Sequence, residues 1–197
     1  MTFFLYSSIM FPAIQFSKPR FQDIRIDTLT YLSLPDDGFQ YELVEGVMRI
    51  APSGSFRHGE LQLRFGHLLS EYLRSNPIGR VSLETDMIWE ERNTILRPDI
   101  SFVSKDRLSI IQEHISGPPE LVIEILSLSN RSWDLGKKAE LYLYFGVLEY
   151  WIVDPSGRSL QVWRNRNGEE WKKDRGAILE SEILPRFRIQ PREFFCP

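Results

Sequence analysis

Residues 121–127, Leu-Val-Ile-Glu-Ile-Leu-Ser, constrain the fold of this chain more than any other stretch. A short apolar run that begins just after Pro118-Pro119 is the pattern of a strand buried on both faces, with further layers packed on either side. One residue breaks it. Alternate side chains of an extended chain share a face, so Glu124 points with Val122 and Leu126, away from Leu121, Ile123 and Ile125. An unpaired carboxylate carried into an apolar interior costs on the order of tens of kcal/mol by Born solvation. Glu124 therefore needs a cation, a proton or a water-filled cleft, and the rest of the chain has to supply it.

At 197 residues, with 42% hydrophobic and 26% charged residues, the chain has the size and balance of one soluble domain, expected over 27–197. The formal charge of -3 argues against a protein that coats nucleic acid non-specifically, but it leaves room for a local basic groove. Between positions 158 and 192 nine basic residues face five acidic ones, a local net of +4 that fits either a phosphate-tracking rim or an ordinary solvated hairpin. Cys196 is the sole cysteine, which excludes an intrachain disulfide and a cysteine zinc cluster and suits a reducing, cytoplasmic setting. The apolar residues 1–16 are fewer than the roughly 20 of a spanning helix and lack a charged leader region, so no membrane association is expected. Residues 1–26 read as a poorly ordered extension, or as a strand or partner-binding arm.

The periodicities predict a short helix over 27–35 and a β-hairpin, 41–44 and 47–50, around Glu45-Gly46. A long helix over 57–75 follows, with Leu61, Phe65, Leu68, Leu69 and Tyr72 as its apolar stripe. Strands are expected over 81–89 and 95–103, the second carrying Pro98 at an edge or bulge, with a polar connection over 105–117. A second helix over 132–145, capped by Ser132 and ended by Gly146, leads to a strand over 149–153 and a hairpin of 159–164 with 169–173. This order gives an α/β or α+β sheet with helices packed against it.

Asp99 and Glu124 lie on successive strands, and pairing those strands would bring two carboxylates together. Two adjacent carboxylates repel unless a cation sits between them. Magnesium suits such a site, because it takes oxygen ligands and keeps waters for substrate phosphates. The competing reading for each acid alone is a salt bridge, with Arg97 nearest. In the second helix Asp134, Lys138, Leu141, Tyr142 and Phe145 share one face. Lys138 there is either a snorkelling side chain or an ammonium group beside a metal, and the Tyr142 hydroxyl is free for Lys138 or Glu124. His58, at the start of the long helix, can contact a phosphate or a carboxylate, or serve as a partly buried cap. With His67 and His114 it forms no zinc spacing.

Tyr41-Glu42-Leu43-Val44-Glu45-Gly46, His58, Arg97-Pro98-Asp99, Val122 to Ser127, Asp134-Leu135-Gly136-Lys137-Lys138 and Gly146 to Pro155 together resemble the Uma2 family of restriction-endonuclease-like proteins. The resemblance covers about 28–194. It implies the PD-(D/E)xK nuclease fold, a central mixed β-sheet flanked by helices, with Asp99 and Glu124 as metal-binding acids, the Ile125 carbonyl beside them and Glu42 as an additional acid. The general nuclease pattern places a lysine two residues after the Glu, where this chain has Leu126. In the Uma2 pattern the lysine comes from the following helix, at the position of Lys138. The function implied is Mg2+- or Mn2+-dependent hydrolysis of phosphodiester bonds, with DNA as partner and a homodimer as the working form. The alternative is a catalytically silent module that keeps the fold for DNA or protein binding. A two-carboxylate glycoside hydrolase is a further rival, and it would need no metal.

Overall fold

A computed structural model describes residues 18–51 and 54–196, so 1–17, most of the expected extension, lie outside the described residues. Residues 21–26 run against the first hairpin: Arg25 bridges Val47, and the Asp23 N–H donates to the Met48 carbonyl at 2.9 Å. Helix α1 (Thr28–Leu32) is capped by Asp27, whose carboxylate accepts the Thr30 N–H at 2.7 Å. Strands β1 (Gln40–Val44) and β2 (Val47–Ala51) pair antiparallel across Glu45 and Gly46. Both turn residues have positive φ, 49° and 80°, the backbone of a tight hairpin turn that only glycine adopts freely.

Helix α2 (Phe56–Ser75) begins at Ser55, whose hydroxyl accepts the His58 N–H at 3.2 Å. Its buried face holds Leu61, Phe65 and Leu69 as expected, but Leu68 is exposed and Gln62 takes an inward place. That exchange has a reason, given below.

The expected strands 81–89 and 95–103 each prove to be two. The first divides into β3 (Gly79–Leu83) and β4 (Met87–Trp89), the second into β5 (Thr94–Leu96) and β6 (Ile100–Ser104). Together they form one long hairpin whose two arms break at the same level: β4 pairs with β5 in one sheet and β3 with β6 in another. Pro98, which cannot donate to a ladder, sits in the second break. The break also separates side chains that strict alternation would put on one face, Leu96 packing in one core cluster and Ile100 and Phe102 in another. The connection over 105–117 holds a 3-10 turn at Lys105–Ile110 and a short strand, β7 (Ile115–Ser116), parallel to β4.

Strand β8 (Leu121–Ile125) lies between β6 (antiparallel) and β9 (Glu149–Asp154, parallel). Between β8 and β9 runs helix α3 (Arg131–Trp133), then one π-helical turn over Asp134–Lys138, then α4 (Ala139–Phe145), ended by Gly146 at φ 89°. Asn130, not Ser132, precedes the first helical residue, and its N–H is held by the Ser127 hydroxyl. Strands β10 (Ser159–Arg166) and β11 (Glu170–Asp174) complete a six-stranded mixed sheet ordered β11-β10-β9-β8-β6-β3. The second sheet is ordered β2-β1-β5-β4-β7. A short pair, β12 (Leu179–Glu180) and β13 (Arg188–Ile189), and α5 (Pro191–Phe194) close the chain.

The six-stranded sheet is covered on both faces. Leu121, Ile123 and Ile125 pack with α2 and the C-terminal segment, where Phe65 meets Trp151 edge to face at 5.8 Å. Val122 and Leu126 pack on the other side with Met87, Leu96, Tyr142 and Tyr150. Trp151 and Trp163 are buried in these layers. This is the mixed, helix-flanked sheet expected from the sequence, and it leaves Glu124 pointing into the second layer, toward the level at which the hairpin breaks.

Candidate active site

The break is what makes a site there. Continuing the β6–β8 register one step past the Ile100–Ile123 pair sets Asp99 opposite Glu124, just where β6 ends and regular pairing stops. Glu84, at φ 47°, and Asp99 are joined across the opening by Glu84 N–H to the Asp99 carbonyl at 3.2 Å. The Gln62 amide donates to both the Glu84 carboxylate and the Asp99 carbonyl at 3.1 Å. This is why α2 turns a glutamine inward.

The cleft has a volume of ≈ 80 Å³, room for a few waters, and Glu42, His58, Asp99, Glu124, Asp134 and Lys138 line it together with Arg97 and Ile125. Every candidate from the sequence is therefore at one place, with Tyr142 directly behind. The Lys138 ammonium is buried and donates to Glu124 Oε1 at 2.7 Å, lies 2.9 Å from Glu42 Oε1, and reaches the Arg97 carbonyl at 3.3 Å. It does not snorkel to solvent. The Tyr142 hydroxyl donates to the same Glu124 oxygen at 2.6 Å. Asp99 accepts the Ile125 N–H at 2.6 Å on Oδ2 and meets His58 Nε2 at 3.0 Å on Oδ1. His58 Nδ1 is buried with no hydrogen-bond partner, and Gly54 lies so close that an added Cβ would stand 2.9 Å from the imidazole. Arg97 departs from the salt-bridge reading of the two acids: its guanidinium takes Asp86 in a bidentate pair at 2.7 and 3.1 Å, and only its backbone N–H meets Glu42 Oε1, at 3.0 Å.

Two further acids line the cleft without standing out in the sequence as site residues, Glu84 and Asp134. Asp134 is 3% exposed, lines the cleft, and its carboxylate accepts no hydrogen bond among the described residues. The signal for it was present in the sequence, since it lies on the Lys138 face one turn earlier. The π-helical turn that carries both residues is a device found often at functional sites.

Four acids thus share a buried space with Lys138 and His58. Burial pushes the Glu124 carboxyl far above its ordinary range; Lys138 pulls it back, and Asp99, Asp134 and Glu42 push it further. Burial likewise raises Asp134 to about 7, against the pull of Lys138. Lys138 is opposed by its own burial, yet Glu124 and Glu42 hold it firmly protonated. His58 is raised by its hydrogen bond to Asp99, against its own burial. If all four acids were ionised they would outnumber the two cations, and the raised Glu124 and Asp134 carboxyls meet that excess by holding protons, which a bound cation would displace.

Hard carboxylate oxygens with surplus charge fit a divalent cation. Among the described residues no group of three or more His, Cys, Asp or Glu side chains is gathered closely enough to form a ready cage. Magnesium does not require one, because one or two carboxylates with waters and substrate phosphates hold it. Asp99, Glu124 and Ile125 line the cleft side by side.

The chain matches the Uma2 family, described as "Putative restriction endonuclease", over residues 29–191. An uncharacterized protein of Synechocystis sp. is 24% identical over 135 residues, which cover 67% of this chain and 70% of that protein. A crystal structure titled as "a putative nuclease belonging to DUF820 from Anabaena variabilis" superposes with a TM-score of 0.74 at 20% identity, over 86% of this chain and 97% of that one. The restriction-endonuclease-like fold is shared. Among the described residues no helix is long and apolar enough to cross a membrane.

Proposed function

The chain belongs to the Uma2 family, and from that premise we propose that it is a divalent-metal-dependent endonuclease that hydrolyses phosphodiester bonds of DNA. The observation that carries this reading is the position of Lys138. Leu126, where the general nuclease pattern has lysine, is packed in the core, and an amine from the following helix stands 2.7 Å from Glu124 instead.

Asp99, Glu124 and the Ile125 carbonyl would hold Mg2+ or Mn2+, which when bound supplies a Lewis acid for the phosphoryl oxygen and lowers the pKa of a coordinated water. The protein's own part is positional and electrostatic. Lys138, held by Glu124, Glu42 and the Arg97 carbonyl, contributes its positive charge at the cleft wall, which stabilises negative charge developing on the phosphoryl oxygens. Glu42, 2.9 Å from the Lys138 ammonium, helps to hold it, and Tyr142 fixes Glu124 in turn. His58 and the Ile125 N–H hold the Asp99 carboxylate in one orientation. Cutting both strands of a duplex would call for two copies of the chain.

Asp99→Asn and Glu124→Gln are expected to abolish Mn2+- or Mg2+-dependent cleavage of DNA while the protein stays folded; wild-type cleavage by either variant would falsify the assignment. The tight bonding of Asp99 and Glu124 within the protein favours one second reading, a binding module that takes up the metal and turns nothing over. Thermal stabilisation by Mn2+ without cleavage would favour that reading.

A further inference from the structure

A second basic site lies outside the cleft. A cavity of ≈ 550 Å³ is lined by Arg158, Arg175, Arg192, Gln161 and Gln190, and no Asp or Glu lines it. That sets it apart from its surroundings. Two other arginines of the same segment are neutralised: Arg164 lies 3.3 Å from Asp174 and from Glu182, and Arg166 lies 2.9 Å from Glu182. Arg158 and Arg175 are instead held by uncharged acceptors, the Phe195 carbonyl at 3.0 Å and Gln161 Oε1 at 3.0 Å. Such bonds fix the direction of a guanidinium without cancelling its charge. Arg192, on α5, makes no ion pair among the described residues. Three arginines, two of them already oriented, face an acid-free cavity in a protein whose formal charge is -3.

The cavity also lies at a useful place. Strand β9 runs parallel to β8, with Val153 level with Ile125, so its end emerges beside the cleft. The turn that follows is tied to the cleft wall: Arg131, next to the cleft-lining Asn130, holds Asp154 at 2.8 Å, and the Asp154 carboxylate accepts the Ser156 and Gly157 N–H groups at 3.1 Å. Arg158 comes next, and Ser159 opposite Asp154 opens β10. Two strand spacings separate β10 from β8, roughly 10 Å. The cavity lies at the outer edge of β10, which β11 leaves unpaired at residues 159–161, so it stands more than two strand spacings from the cleft, a span of several nucleotides at roughly 3.4 Å per nucleotide of one strand.

We propose that the Arg158–Arg175–Arg192 cavity is a phosphate-binding subsite that holds the nucleic-acid backbone several nucleotides from the bond placed in the cleft. The proposal names the substrate contact of the nuclease reading and rests on that reading for the identity of the ligand. Planar guanidinium forks suit phosphate oxygens, and contacts of this kind position the strand without reading its bases.

The test is fluorescence anisotropy of an end-labelled DNA duplex of about 20 base pairs in EDTA, where no turnover occurs, with the wild type and the Arg175→Glu/Arg192→Glu variant. Both substitutions fall on exposed side chains, and Arg158 is left in place to hold Phe195. Affinity is expected to fall at least about tenfold at low salt, and the salt dependence of log K to flatten by about two phosphate contacts. Unchanged affinity and slope would overturn the proposal. Competition by tripolyphosphate in the wild type, with duplex binding unaltered in the variant, would overturn it in favour of a free-anion site. Cleavage assays on the same two proteins separate the premises. Cleavage by the wild type with duplex affinity intact in the variant leaves the nuclease and removes the subsite. Arginine-dependent binding without cleavage by the wild type leaves the subsite and removes the nuclease.

Discussion

Two glutamates buried in neighbouring strands of the same sheet, Glu124 and Glu149, have opposite surroundings. Glu149, 1% exposed, is bonded throughout: it accepts Trp151 Nε1 at 2.9 Å, the Ser181 hydroxyl at 2.7 Å and the Glu182 N–H at 2.5 Å, with Arg164 3.7 Å away. Its charge is shared among neutral donors and one guanidinium, and it does not line the cleft. Glu124, 4% exposed, takes both its donors on one oxygen, faces the cleft, and stands among three further acids. A buried acid that the fold satisfies clamps the fold; one left with surplus negative charge beside open space is set up to bind something positive. Burial alone does not distinguish them.

Exchanging each acid for its amide breaks the comparison most sharply. Glu124→Gln is expected to lower cleavage by about 10²–10³-fold or more while melting close to the wild type. An unchanged rate would show the two glutamates to be alike. Replacing Lys138 by Met tests the surplus charge itself, since it leaves Glu124 and Glu42 buried without their cation. Removing one partner of a buried pair costs about 3–5 kcal/mol. Part of that loss should return on adding Mn2+, so the variant's melting temperature should rise more with the metal than the wild type's does, and equal rises would argue against a cation site. Glu149→Gln should act on the fold alone. Disturbing its three hydrogen bonds is expected to cost about 2–4 kcal/mol, or roughly 5–15 °C in melting temperature for a chain of this size, and the cost should not depend on Mn2+.

Much of this contrast was legible in the sequence, but not the part that decides it. Glu124 stands out because its neighbours are aliphatic on both sides, and Lys138 could be put on its side of the helix by spacing. Glu149 opens the run Glu-Tyr-Trp-Ile-Val-Asp and reads as an ordinary strand beginning, because its partners Ser181 and Glu182 lie more than 30 positions away. The bent hairpin was hidden for a related reason. Alternation runs through 81–89 and 95–103 without interruption, since a strand that changes sheets at 84–86 or 97–99 need not lose its period; Pro98 was the one local mark of the break. Register and sheet order are long-range facts. The same limit applies to Asp134: the sequence put it on the right face, but only the closure of the cleft around it, beside Glu42, Asp99 and His58, makes it buried and unbonded.

Asp134 sharpens the comparison at its smallest expected effect. Its carboxyl titrates at about 7 in the folded protein, raised first by burial, against a value of 3.8 in a free chain. Between those values the folded state holds a proton that the unfolded state has released, so the residue weakens the fold progressively as pH rises from about 4 to 7. Asparagine has no proton to lose. Asp134→Asn should therefore melt like the wild type near pH 4 and above it at pH 8, by an amount on the order of 2 kcal/mol once water in the cleft is allowed for. Saturating Mn2+ should narrow the gap, because a bound cation stabilises the ionised carboxylate of the wild type and gives the amide little. Melting curves of the two proteins across pH 4–8, with and without the metal, measure both effects. A difference independent of pH would mean that Asp134 carries no surplus charge and belongs with Glu149, among the acids the fold has already satisfied.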